Sequence, residues 1–176
     1  MGDGAGFQHI FELISRRRVT AGFVLGALVL WSADPTPRLL AIGAVMAIVG
    51  EGIRVWAAGH LEKGREVTSS GPYAFTRHPL YLGSAVIGAG MAVASGDLFV
   101  GSVVIVYLVL TLGAAIRTEE AHLTEKFGNQ YPAYRDGRTP AVPRRFSIER
   151  AIRNREYRAV TGLIVVLALF AWKAWH

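Results

Sequence analysis

Residues 80–116 read LYLGSAVIGAGMAVASGDLFVGSVVIVYLVLTLGAAI. Two apolar blocks, 80–95 and 98–116, meet at Ser95, Gly96 and Asp97. Neither block keeps its apolar residues to one face at a period of 2 or 3.6. A helix that is apolar all round sits in a deep core or in lipid. A chain of 176 residues cannot bury several such helices in a soluble core. The joint is short, so the two helices must be antiparallel neighbours. The stretch reads as a transmembrane hairpin.

Three further blocks, 19–33, 39–59 and 159–175, repeat the pattern in a chain that is 52% hydrophobic. Several fall short of the ~20 residues that a span needs, so flanking residues must complete them or the bilayer must thin. The last block carries Lys173. The expected fold is an all-α integral membrane protein of about five transmembrane helices, forming one domain over 1–176. Its parts are an interfacial helix (1–18), a four-span core (19–116), a cytoplasmic loop (117–158) and a last span (159–176).

Positive charge alternates from one connection to the next. Arg16, Arg17 and Arg18 precede the first block, and Lys63, Arg65 and Arg77 lie between the second and third. Ten Lys or Arg fall between Arg117 and Arg158, whereas SADPTPR and SGD together hold only Arg38. The positive-inside rule then places the N-terminus in the cytoplasm and the C-terminus outside. The formal charge of +6 is met by anionic membrane lipid and needs no nucleic acid.

The chain has no cysteine, which excludes disulfides, thiolate metal sites and a Cys nucleophile. Its five His are scattered, with none of the close grouping of a zinc site. The first residues lack an apolar core before the Arg cluster, so no cleavable signal is expected, and Gly6 rules out a myristoylation motif. Phe7, Ile10, Phe11 and Ile14 share one helical face, as expected of a helix lying on the cytoplasmic surface. RRFSIERAIRNREYR (144–158) should lie on the same surface, with Ile148 and Ile152 on one side. Gly22 and Gly26 suit close helix packing in lipid; Gly83, Gly88 and Gly90 suit either packing or a ligand-facing groove.

Polar residues concentrate where the hairpin meets the cytoplasm. In SSGPYAFTRHPLYLG (69–83), Pro79 suits the first turn of a helix. Arg77 and His78 then sit at the helix start, beside free N–H groups, where an anion is favoured. Tyr81 is within reach of the same spot, and the turn at Ser69, Ser70, Gly71 and Pro72 can fold Tyr73 and Phe75 over it. The spacing fits equally an interface anchor, with Arg snorkelling and Tyr in the headgroup belt. Past the second helix of the hairpin, Ile116, Leu123 and Phe127 extend the helix to a stop at Gly128. Glu119 and Glu120 oppose the helix dipole there and need a compensating partner. In the second block, Glu51 and Arg54 stand at i, i+3, and intramembrane ionisable residues are functional candidates.

VTSSGPYAFTRHPLYLG (67–83) followed after one span by EEAHLTEKFGNQYPAYRDGRTPAVP (119–143) resembles the isoprenylcysteine carboxyl methyltransferase family and its relatives. The resemblance covers a little under half of the chain. It implies an integral membrane enzyme that uses S-adenosylmethionine, without a Rossmann fold. The cofactor would lie between the third and fourth spans, facing the cytoplasm. Gly71, Tyr73, Arg77, His78 and Tyr81 would line one side; Glu119, Glu120, Leu123, Tyr131, Tyr134 and Arg135 would close the other. Glu119 occupies the position that the family ties to catalysis or substrate orientation. Many members carry an Arg four residues earlier, where this chain has Ala115; Arg117 is the nearest basic residue and Arg54 a possible substitute. The implied substrate is a lipid or lipidated molecule, with an isoprenylcysteine-type carboxylate favoured over a phospholipid amine or a small thiol. A sterol-type reductase using NADPH and a non-enzymatic lipid-binding protein are the competing classes.

Overall fold

Prolines and short polar residues decide where the helices begin, and glycines decide how closely they pack. The computed structural model describes residues 22, 24, 26–140 and 142–176. The interfacial helix expected over 1–18 and the start of the first apolar block lie outside the described residues. Helix α1 is seen over residues 26–32. It is followed by α2 (Pro37–Ala58), α3 (Pro79–Ala94), α4 (Leu98–Phe127), α5 (Gln130–Arg135), α6 (Ile148–Arg153) and α7 (Tyr157–Trp175). Among the described residues there is no strand.

The helix ends follow from local chemistry. Thr36 caps α2, its Oγ1 accepting from Leu39 N at 3.3 Å ahead of Pro37. Asp97 caps α4 in the same way, with Val100 N donating at 2.7 Å. Gly128, at φ 53°, ends α4 where the sequence predicts its stop. At the other side of the molecule the last carbonyls of α2 are taken up by the C-terminal segment. Asn154 Nδ2 donates to Ala58 O and Leu61 O at 2.9 Å, and Arg150 Nε to Gly59 O at 2.8 Å. Helix α6 is thereby pinned under α2, with Ile148 and Ile152 exposed as a surface-lying helix requires.

Three helices, α2, α4 and α7, are long and apolar enough to cross a membrane. Helix α3 has 16 residues, about 24 Å at 1.5 Å per residue, against a hydrocarbon core of about 30 Å. Helix α4 has 30 residues, about 45 Å. The ends of α1 and α3 meet at one level, where Asp34 N donates to Ser95 O at 2.8 Å. The shortfall of α3 is therefore taken up at its other end, beside which α4 runs on past the membrane.

The closest contact is between α2 and α3. A side chain at Gly43 or Gly50 would run into the backbone of α3 at Gly90 or Gly83, and the reverse holds for Gly83 and Gly90. Gly88 turns to α4, where Leu108 fills the space of a Cβ. Of the two readings open for these three glycines, packing is the one the structure takes. Large apolar side chains such as Val45, Ile48, Val109 and Leu110 point outward, as lipid-facing residues do.

Candidate active site

The recessed start of α3, the last turns of α4, α5 and the loop after α2 enclose a cavity of about 490 Å³. No side chain caps α3: His78 stands at the N-cap position without a capping bond. The first turn of α3 borders the cavity, which Pro79, Leu80 and Tyr81 line. Tyr73, Arg77, His78, Tyr81, Glu119, Leu123, Tyr131 and Tyr134 all line it, and Arg54 reaches it from α2.

Glu120 does something different from Glu119. One residue on turns the side chain by about 100° on a helix. Its Oε1 faces His78 Nε2 at 3.0 Å, Arg77 Nη1 at 3.5 Å and the hydroxyl of Tyr131, which donates at 3.2 Å. Arg77 and His78, at the start of α3, are the compensating partners that this carboxylate at the end of α4 needs. It joins α3, α4 and α5 and does not itself line the cavity. Glu119 faces the cavity instead.

Helix α5 lies across the site as a cover. Tyr131 is almost fully buried, and Tyr134 donates its hydroxyl to Tyr73 O at 2.6 Å, tying α5 to the 3-10 turn Gly71–Ala74. Burial first, and the neighbouring Glu119, push the Tyr73 hydroxyl well above its usual titration range. Burial and then Glu120 do the same for Tyr131, and burial for Tyr134. All three phenols therefore remain protonated donors at neutral pH. A second tie runs behind: Ser69 Oγ donates to Pro140 O at 3.4 Å, and Arg144 Nη1 pairs with Glu66 Oε1 at 2.7 Å.

Several expected residues lie elsewhere. Gly71, at φ 58°, turns its open side to the ring of His60, where a Cβ would collide; its service is to the turn. Arg135 sits on the outer side of α5 and pairs with Asp136 at 3.3 Å. Arg117 is exposed and outside the cavity wall. Phe75 is 84% exposed and does not fold over the site. Arg54 spends its hydrogen bonds on Glu156 Oε1 (2.7 Å) and Ser84 Oγ (2.6 Å), with Glu51 at a longer 3.7 Å.

Sequence reasoning missed the wall made by Lys63, Gly64, Glu66, Val67 and Thr68, together with His122 and Lys126. It also missed Glu156, which is 102 positions from Arg54. The only forewarning of the first group was its place between the second block and the SSGPYAF turn.

The donor set fits S-adenosylmethionine. Lys63, Lys126 and the uncapped start of α3 suit its carboxylate, Glu119 its positive charge, and the ring of tyrosines its adenine and ribose. Among the described residues no group of His, Asp and Glu is arranged to hold a metal ion.

The family model for phospholipid methyltransferases matches residues 38–130, a little over half of the chain. The chain is 33% identical over 143 residues to the cobalt-zinc-cadmium resistance protein CzcN of Cupriavidus metallidurans, covering 76% of this chain and 64% of that one. It is 32% identical over 114 residues to the nickel-cobalt-cadmium resistance protein NccN of Alcaligenes xylosoxydans, covering 62% and 50%. It thus spans less than two thirds of the length of either relative. No solved structure matches.

Proposed function

The chain belongs to the phospholipid methyltransferase family, and on that premise we propose that it moves a methyl group from S-adenosylmethionine to an acceptor embedded in the membrane. The observation that carries this reading is the convergence of Tyr73, His78, Tyr81, Glu119 and Tyr134 on one cavity at the recessed end of α3. Bound there, S-adenosylmethionine supplies an activated methyl group and a neutral leaving group. The residues' share is to hold it and to align the nucleophile; alignment alone accounts for much of such a rate enhancement. The first turn of α3, with Lys63 and Lys126, fixes the carboxylate end. Glu119 holds positive charge near the reacting centre, and takes up a proton where the nucleophile is an amine or a thiol. A carboxylate acceptor needs no base.

The acceptor favoured by the sequence resemblance is an isoprenylcysteine-type carboxylate; the family match supports a phospholipid amine. A part in metal resistance, of the kind named for the two relatives, would come through the methylated product. With the positively charged connections inside, the site faces the cytoplasm.

The test has two arms. S-adenosylmethionine should raise the melting temperature of the purified chain and NADPH should not. Labelled methyl should pass to a prenylcysteine analogue, phosphatidylethanolamine or a thiol, and the transfer should be lost in His78→Ala and Glu119→Ala. Stabilisation by NADPH alone would transfer the site to the reductase class. No shift with either would leave a lipid-binding protein.

A further inference from the structure

A second cavity, of about 370 Å³, opens between α2, α3 and α7. Helix α7 packs on α2 and leaves this crevice beside α3. Its outer wall is apolar, formed by Ile87, Met91, Leu163 and Val166, and its mouth is at Gly162, an exposed position on α7. Its inner end is charged. Glu51 lies there with a side chain only 9% exposed, and neither carboxylate oxygen has a hydrogen-bond partner among the described residues. Such a group is costly in lipid unless something completes it.

The neighbouring charges do not complete it. Among the described residues Arg54 is the one cation within ion-pair distance of Glu51, and its short bonds go to Glu156 and Ser84. Two carboxylates therefore share one guanidinium, and the oxygens of Glu51 stay open as acceptors in the crevice wall. Arg54 is also the wall common to this cavity and to the one beside α3 and α4.

We propose that this crevice is a lateral binding site for an amphiphile from the bilayer, whose cationic, hydrogen-bond-donating head is received by Glu51. The chain of that ligand lies along Ile87, Met91, Leu163 and Val166. An anionic head brings no hydrogen to the open oxygens of Glu51. That the ligand is also the methyl acceptor rests on the function proposed above; the binding does not.

The full chain in phosphatidylcholine nanodiscs tests this with three probes: dodecylamine, dodecanoate and ethanolamine. Dodecylamine should raise the melting temperature and bind at least about tenfold more weakly to Glu51→Gln, the loss expected for one hydrogen bond to a charged group. Ethanolamine lacks the chain and dodecanoate has the wrong charge, so neither should give a comparable shift. Gly162→Leu leaves Glu51 intact and fills the mouth, where a Cβ meets nothing within 4 Å. It should also lose dodecylamine binding, and it carries the test if Glu51→Gln fails to fold. Equal stabilisation of both variants and the parent, or a stronger response to dodecanoate, would overturn the proposal. S-adenosylmethionine is titrated in parallel: its failure with dodecylamine binding intact would remove the methyl-transfer reading and leave the lateral site standing.

Discussion

Glu119 and Glu120 are chemically identical and adjacent, yet the helix phase gives them separate tasks. Glu120 is held by His78, Arg77 and Tyr131, so its loss should be felt as loosened structure. Removing it leaves the buried Tyr131 hydroxyl and the His78 ring without their acceptor, a cost of about 1–3 kcal/mol. Glu120→Ala should therefore lower the melting temperature by several degrees. Glu119→Ala removes an exposed carboxylate that faces the cavity, so it should abolish methyl transfer at an unchanged melting temperature. Thermal unfolding and labelled-methyl incorporation on the same preparations check both. A Glu119 variant that melts early, or a Glu120 variant as stable as the parent, would mean that the two roles are exchanged or shared.

Between helices, glycine position separates packing from lipid exposure. Gly43 and Gly52 lie on the same helix. A Cβ at Gly43 collides with α3, whereas one at Gly52 meets nothing within 4 Å. Gly43→Leu should force α2 and α3 apart and reduce monodisperse yield. Gly52→Leu should be neutral or gain up to about 1 kcal/mol from helix propensity. Size-exclusion profiles and melting curves of the pair give the comparison; similar behaviour would mean that α2 and α3 do not meet through this face. The same contrast explains what the sequence could tell. The start of α3 at Pro79 and the stop of α4 at Gly128 were legible because caps and breakers are local chemistry. The meeting of Arg77 and His78 with Glu120 was legible because a three-residue joint forces α3 and α4 together. The rotation of each helix was not, since a helix apolar all round has no polar face to fix its phase. Hence Gly83 and Gly90 stayed ambiguous and the reach of Arg54 to Glu156 went unseen, while Gly71 was placed in the cavity wall by the resemblance alone.

Across the whole molecule, the basic residues divide unequally between its two ends. Lys173 Nζ donates to Leu30 O at 3.0 Å and Trp31 O at 2.7 Å, so α7 ends where α1 ends. Ser95 joins Asp34 at that same end. Among the described residues its basic residues are Arg38 and Lys173, while the opposite end carries Lys63, Arg65, Arg77 and ten more from Arg117 to Arg158. We propose, from the retention of Lys and Arg on the cytoplasmic side, that the α3–α4 cavity faces inward and His176 outward. The absence of cysteine makes the test direct. Single cysteines at Ser32 and His176, both exposed, should react with a membrane-impermeant maleimide in intact cells. Cysteines at Arg65 and Arg138, 75% and 67% exposed at the other end, should react only after permeabilisation. Inverted labelling would place the cavity outside and deny it cytoplasmic S-adenosylmethionine, so the orientation and the proposed chemistry stand or fall together in this experiment.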